Sequence, residues 1–210
     1  MKIAVIGSGN VGSTLGRRWA QGGHKVVFGS REPNSSKVEE LVQHSGTNAW
    51  AATIADAIAG AEVVAMATPW GVTQEVIQSV GDWRGKILID CTNPLASDLS
   101  GLTVGQTTSA GELVAGWARG ARVVKAFNNT GAGNMADPKY GDAAAAMFIC
   151  GDDPEAKKVI GGLAQELGFD VVDAGGLVMA RYIEPLAMLW IRLAYVEGLG
   201  PNIAFKLLRR

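Results

Sequence analysis

The chain has little of what several chemistries require. Its 210 residues hold two cysteines, Cys91 and Cys150, far apart and in no C-x-x-C or metal-type spacing. A disulfide framework and a thiolate metal site are therefore not expected. Both thiols are read as reduced and buried, in a cytoplasmic protein. Charge of either sign is also missing in excess: 19 Lys and Arg against 20 Asp and Glu leave a net charge of −1. That balance gives no electrostatic case for a nucleic acid or an anionic membrane as partner. No apolar run reaches the ~18 residues that a membrane span needs. No cationic stretch precedes an apolar run and a cleavage site, and the first apolar segment reads as a strand that the fold needs, not a cleavable leader. Internal repeats, linkers and low-complexity tracts are absent.

What is present begins at once. Lys2 to Ile6 is a short apolar strand that runs into Gly7-Ser8-Gly9-Asn10-Val11-Gly12 and then a helical pattern. Strand, G-x-G-x-x-G and helix in that order form a dinucleotide-binding fingerprint. Gly7 permits the tight turn, Gly9 lets a pyrophosphate approach the backbone, and Gly12 lets the helix pack closely on the strand. The helix N-terminus then offers N–H groups and a positive dipole end to phosphates.

Strand and helix alternate along most of the chain. Predicted strands are Lys2–Ile6, Lys25–Phe28, Asn48–Trp50, Val63–Ala67, Ile87–Asp90, Val123–Phe127, Ala145–Cys150 and Asp170–Asp173. Several are near-continuous apolar runs, as in parallel strands covered on both faces. Ser36-x-x-Glu39 and Ser109-x-x-Glu112 read as capping boxes, and Asp153-Pro154 as an N-cap before a first-turn proline. The pattern predicts an α/β fold of the Rossmann type, with a doubly wound, mostly parallel sheet over residues 1–178. Residues 179–210 form a C-terminal helical segment. In it Ile183, Leu186, Ala187, Trp190, Leu193 and Ala194 follow helical spacing, while Met188, Leu189 and Ile191 make the other side apolar. A helix apolar all round must be buried. The roughly 35 residues after the last strand are too few for a domain of their own. The helix is expected to pack across the sheet or in a subunit interface, with a homodimer favoured.

The second strand ends in Ser30-Arg31, where a cofactor with a free ribose 2′-OH would meet an acid. An acid would repel a 2′-phosphate, whereas the Arg31 fork can pair with it. Glu32 follows, but its alternate position should turn it elsewhere. NADP(H) is the cofactor expected over NAD(H).

Ligands of such sheets sit outside the carboxyl ends of the strands. Those ends carry Thr68-Pro69-Trp70, Cys91-Thr92-Asn93-Pro94-Leu95, Asn128-Asn129-Thr130-Gly131 and, after Asp173, Ala174-Gly175-Gly176. None offers an obvious acid or base, although carbonyl reduction needs a proton donor near the hydride acceptor. His24 and His44 read as structural or solvated. Tyr140 and Tyr182 lack a lysine at Tyr-x-x-x-Lys spacing. Lys125, near the end of a central strand, either touches ligand or points away from the cleft. Hydride transfer between two stacked rings avoids the need for a donor, because the protein then supplies mainly proximity. Gly131, Ala132, Gly175 and Gly176 would leave room for a second ring system, or serve only as turn residues.

The segments IGSGNVG, GSR, ATPW, IDCTNPL, VVKAFN, CGDD and DAGGL…IEPLA resemble, in that order, the NADP-dependent oxidoreductases related to coenzyme F420:NADP oxidoreductase. They are also similar to the N-terminal dinucleotide domain of STEAP-type metalloreductases, to which the Lys-Ala-Phe-Asn form at 125–128 looks closer. The resemblance implies that Ser8, Asn10 and Val11 hold the pyrophosphate and that Ser30 and Arg31 hold the 2′-phosphate. It implies that Thr68, Pro69 and Trp70 lie beside the cofactor's inner half, and that Asn93, Pro94 and Leu95 face the nicotinamide. It places Phe127 and Asn128 by a second-ring pocket, and the terminal helix in a dimer contact. The activity it implies is hydride transfer between NADP(H) and a deazaflavin (F420) or flavin (FMN, FAD), with no metal. Two other readings are an NADP(H)-binding sensor or scaffold without turnover, and a small imine or 2-hydroxyacid reductase. The latter should carry a catalytic Lys or Asp on a long helical C-terminal domain, which is not expected here. Fold alone cannot separate the three.

Overall fold

The structure, a computed structural model, describes residues 1–210. Its strands are β1 (Lys2–Ile6), β2 (Lys25–Ser30), β3 (Ala49–Thr53), β4 (Val63–Met66), β5 (Ile87–Asp90), β6 (Arg122–Lys125), the short pair β7 (Lys139–Tyr140) and β8 (Ala143–Ala144), β9 (Ala146–Gly151) and β10 (Asp170–Asp173). The helices are α1 (Asn10–Gln21), α2 (Ser36–Ser45), α3 (Ile54–Ala59), α4 (Trp70–Gln78), α5 (Ala110–Trp117), α6 (Ala132–Ala136), α7 (Pro154–Leu167) and α8 (Ala180–Ile191). Eight strands make one sheet in the order β10-β9-β6-β5-β4-β1-β2-β3, with β7 and β8 apart from it. β1 to β6 run parallel, so the doubly wound reading holds.

Both faces of this sheet are covered, and the alternation of side chains shows it. Ile3 and Val5 belong to the cluster under one layer of helices, and Ala4 and Ile6 to the cluster under the other. β4 divides in the same way, Val63 and Ala65 against Val64 and Met66. Strands buried on both sides need no polar face, which is why they read as continuous apolar runs.

The sheet reverses once. β9 pairs antiparallel with β6, and β10 follows β9 in parallel. The carboxyl ends of β9 and β10 therefore lie at the opposite edge from those of β1 to β6. This corrects the expectation that Ala174-Gly175-Gly176 face the ligand. The turn is instead tied to its own edge: Gly151 N donates to Gly175 O at 3.1 Å, and Leu177 N to Asp152 Oδ1 at 2.8 Å.

Local signals were legible to different degrees. Asp153 caps α7 as expected, accepting from Ala156 N at 2.7 Å, with Pro154 in the first turn. Ser109 caps α5 through Glu112 N, but the Glu112 carboxylate does not reach back to the cap backbone. It takes the Ser109 hydroxyl at 2.7 Å and the Arg181 guanidinium at 2.8 and 2.6 Å. The other capping box is corrected. Ser36 is the first helical residue of α2, and the N-cap is Ser35, whose hydroxyl donates to Glu32 O.

The terminal helix is also corrected. α8 ends at Ile191 and passes into a wider π-type turn, Arg192–Val196. Within one chain only one of its sides is buried. Ala180, Ile183, Glu184, Ala187, Trp190 and Ala194 face inward, whereas Tyr182, Leu189 and Tyr195 stand in solvent. The chain then returns to the ligand edge of the sheet, where Ala146 N donates to Phe205 O and Lys206 pairs with Asp170 at 2.7 Å. No helix is long and apolar enough to cross a membrane.

The Glu112–Arg181 pair joins α5 to α8, and it supports a pH prediction. Hydrogen bonding to Arg181 is the largest cause holding the Glu112 carboxyl below its ordinary value. A carboxyl with a lowered folded pKa adds stability above its unfolded pKa and loses it as pH falls through the folded value. The pair is partly exposed, so water and salt screen it and its contribution is small. Urea unfolding should show wild type more stable than Glu112→Gln near neutral pH, with the gap closing under acid. A gap that widens in acid would contradict the sign.

Candidate functional site

The site is built where β1 leaves the sheet. The three glycines of the fingerprint meet different surroundings, and each environment states its role. Gly7 has φ +109°, and a Cβ there would lie 2.4 Å from Ala67 O. Only glycine turns the chain at that point. A Cβ on Gly12 would lie 1.9 Å from Gly7 O, so α1 packs directly on the turn. Gly9 differs from both, because nothing stands within 4 Å of the position a Cβ would take. The loop is bare on the side that faces out.

α1 begins beneath that bare surface. Its N-cap, Gly9, supplies no side-chain cap, and the first turn carries no acid. The initial N–H groups of a helix have no partner within it. Here the protein leaves them to an outside acceptor, beside the positive end of the helix dipole. Next along the edge, α4 starts at the Pro69 N-cap, also without a side-chain cap or a first-turn acid. Thr68 is fixed there by its hydroxyl, 2.9 Å from that of Thr73, which donates to Pro69 O. Trp70 packs on Trp117, with centroids 5.3 Å apart.

At the end of β2 the Ser30 hydroxyl accepts from Glu32 N at 3.1 Å, which leaves its own O–H free to donate outward. Arg31 is exposed and is joined to no carboxylate. Ser8 also lines a cleft of about 250 Å³ between α1 and α2, where Arg17 and Lys37 add positive charge.

The other side of the edge is formed by the ends of β5 and β6. Asn93 Nδ2 donates to Asn128 O at 2.8 Å, and Asn128 Nδ2 donates back to Asn93 Oδ1 at 3.0 Å. Asn128 Oδ1 is buried with no donor. Pro94 O is held by Thr103, and Leu95 bridges Leu102 across the loop that follows. The structure thus brings together Gly7 to Gly12, Ser30, Arg31, Thr68 to Trp70, Asn93 to Leu95 and Asn128.

It does not bring Phe127 there. Its ring is fully buried in the core, edge-on to Trp19 at 5.6 Å and Phe169 at 6.4 Å. Phe127 cannot line a second-ring pocket. Its backbone, at φ +60°, breaks β6 two residues earlier than expected and turns the chain toward Asn128. The room expected over Gly131 is also taken, since a Cβ there would lie 2.5 Å from the Trp190 ring.

The proton donors weighed from the sequence are engaged elsewhere. His24 lies before β2, at the far edge of the sheet, bonded to Glu166 at 2.7 Å. His44 is held by Glu40 O on α2, and Tyr140 donates to Asn134 Oδ1. Lys125 is wholly buried and surrounded by Asp90 Oδ2 at 2.8 Å, Glu184 Oε1 at 2.9 Å and Thr92 O at 2.6 Å. Burial alone would pull its pKa down, but the two carboxylates outweigh this and hold it above the ordinary value. Sequence pattern alone does not single out Asp90 and Glu184. The nearest signal is the pair Asp90 and Lys125, opposite charges ending two apolar runs, which are register partners in the sheet. Burial drives the Cys91 thiol far up and the Cys150 thiol up to about 12, so neither is reactive.

A bare glycine turn, an uncapped helix and strand ends that offer a free hydroxyl and a free guanidinium define a dinucleotide-binding protein of the Rossmann class. The family model for "NADP oxidoreductase coenzyme F420-dependent" matches residues 2–94. The F420-dependent NADP reductase of Methanothermobacter thermautotrophicus is 35% identical over 210 residues, covering 92% of this chain and 89% of the relative. A crystal structure of an Arthrobacter sp. FB24 protein superimposes with a TM-score of 0.90 at 34% identity, with both chains covered in full. The metalloreductase STEAP3 of Rattus norvegicus is 30% identical over 190 residues, and the match spans 36% of its length. The chain belongs to the F420-dependent NADP oxidoreductase family.

Proposed function

We propose that this protein transfers a hydride between NADP(H) and a deazaflavin of the F420 type, with a flavin as the competing acceptor. The observation that carries the reading is the bare, uncapped N-terminus of α1 after β1, together with an exposed, unpaired Arg31 after the neighbouring strand β2. Gly7 to Gly12, with Ser8, Asn10 and Val11 in the loop, would hold the pyrophosphate on the backbone N–H groups. Ser30 and Arg31 would take the 2′-phosphate, one by its free O–H and the other by its fork. Thr68, Pro69 and Trp70 would line the cofactor's inner half. Asn93, Pro94, Leu95 and Asn128 would face the nicotinamide.

NADP(H) supplies the hydride, and the residues of the chain orient and shield it. With His24, His44, Tyr140 and Lys125 all engaged elsewhere, the protein's part in the reaction is proximity, and any proton comes from solvent. The names of the relatives favour F420 over FMN or FAD as acceptor. The outward side of α8, with Tyr182, Leu189 and Tyr195 exposed, is the surface for a second copy in a homodimer. Light scattering of the eluted peak at two concentrations would check that. A cytoplasmic location accords with two buried, unpaired thiols.

The test is anaerobic. NADPH is mixed with the protein and, separately, with F420, FMN, FAD and riboflavin, and both absorbances are followed. Consumption of NADPH matched to bleaching of F420 is expected. Tight NADPH binding with no acceptor reduced would favour the sensor reading.

A further inference from the structure

Lys125 has three donors, and all three are spent inside the protein, so it cannot touch a ligand. What it holds is informative. Asp90 Oδ1 accepts from Thr92 N at 2.9 Å and from the Thr92 hydroxyl at 2.7 Å. Lys125 takes the carbonyl of the same residue. Both peptide groups of Thr92 are thus fixed by two buried charges, one residue before Asn93. Lys125 itself lies three residues before Asn128. The two loops that cross-bond through Asn93 and Asn128 therefore spring from one buried ion cluster.

Glu184 completes the cluster from α8. Its two oxygens also accept from Ala110 N at 2.9 Å and Gly111 N at 3.0 Å, at the start of α5. Two carboxylates and one ammonium leave a net negative charge, and the α5 N-terminus faces it. Every polar atom of the cluster has a partner. A buried ion cluster is a poor source of stability, since desolvation offsets most of its attraction. Its effect is to fix geometry.

We propose that Lys125, clasped by Asp90 and Glu184, is a positioning residue that sets the Asn93–Asn128 pair for the nicotinamide end of the cofactor. The inference rests on the reading of that edge as the nicotinamide side. Lys125→Met should spare the adenosine end, more than one strand away across the sheet, and loosen the nicotinamide end. Calorimetric titration compares NADPH with 2′,5′-ADP, which has the adenosine end alone. The variant should bind 2′,5′-ADP within about twofold of wild type and NADPH about tenfold more weakly, the loss of one bond to a charged or oriented group. Weakening of both ligands together, or of neither, would overturn the proposal. Lys125→Met leaves two carboxylates face to face and risks misfolding. Lys125→Met/Glu184→Gln removes one of those charges and should show the same selective loss. The comparison needs no acceptor. A chain that binds NADPH but fails to reduce F420 leaves this inference standing, while F420 turnover with unchanged ligand selectivity in the variants removes this inference alone.

Discussion

Gly9→Ala should leave the protein folded and unable to hold NADPH well, while Gly12→Ala should damage the fold itself. The two positions lie three residues apart in one motif, yet their surroundings are opposite. At Gly9 the backbone sits at φ −76°, which any residue adopts, and an added Cβ meets nothing. Alanine is a poorer N-cap than glycine by roughly 0.5–1 kcal/mol, a fall of about 4 °C or less in Tm for a chain of this size. The methyl would, however, occupy the space through which a pyrophosphate reaches the α1 N–H groups. Loss of one or two charge-assisted hydrogen bonds should weaken NADPH by about 100-fold. At Gly12 the methyl would press on Gly7 O. Either α1 lifts from β1 or the turn distorts, at a cost of about 3 kcal/mol or more, and Tm should drop by roughly 6 °C or more. Thermal melts and NADPH titrations of both variants separate the roles. A Gly9→Ala protein with normal NADPH affinity would contradict the placing of the pyrophosphate.

Arg31→Ala should turn a cofactor-selective protein into an indifferent one. Arg31 is exposed and free of any carboxylate, so its removal breaks no internal pair and should leave Tm unchanged. A bidentate bond from arginine to phosphate contributes about 2–3 kcal/mol, so NADPH should weaken by about 30- to 150-fold. NADH has no 2′-phosphate and should change by no more than about twofold, the scatter expected of an exposed surface substitution. Equal losses for NADPH and NADH would place the specificity elsewhere. Arg17 and Lys37, which line the neighbouring cleft, would be the first residues to try next.

The fold was largely legible because its strongest signals are local. Apolar runs of four to six residues bounded by turns mark β1 to β6, and Asp153-Pro154 marks the start of α7. The fingerprint needed only its order, strand then glycines then helix. What could not be read was direction. Nothing in Ala146–Gly151 says that it runs against β6, because a strand buried on both faces has the same pattern whichever way it points. That single reversal carried Gly175 and Gly176 away from the site. Phe127 failed for a related reason. The family resemblance implies a place by the second ring, but the strand end puts alternate side chains on opposite faces, and this one turns inward to Trp19. Glu184 was hidden by the rule that an apolar helix buries its apolar side chains. Its burial follows from Lys125, a partner some sixty positions away, which helical spacing cannot show.

The account's central claim is direct transfer between two rings held by a protein that lends no proton. Isotope tracing tests it most directly. NADPH carrying deuterium at the transferable C4 position is incubated with the protein and F420 in ordinary water under anaerobic conditions, and the reduced deazaflavin is examined by mass spectrometry. The deazaflavin accepts hydride at carbon, where the label does not wash out. The account predicts one deuterium retained per F420 reduced, from one of the two C4 faces only. Reduced F420 without label, label from both faces alike, or no reduction at all would contradict it.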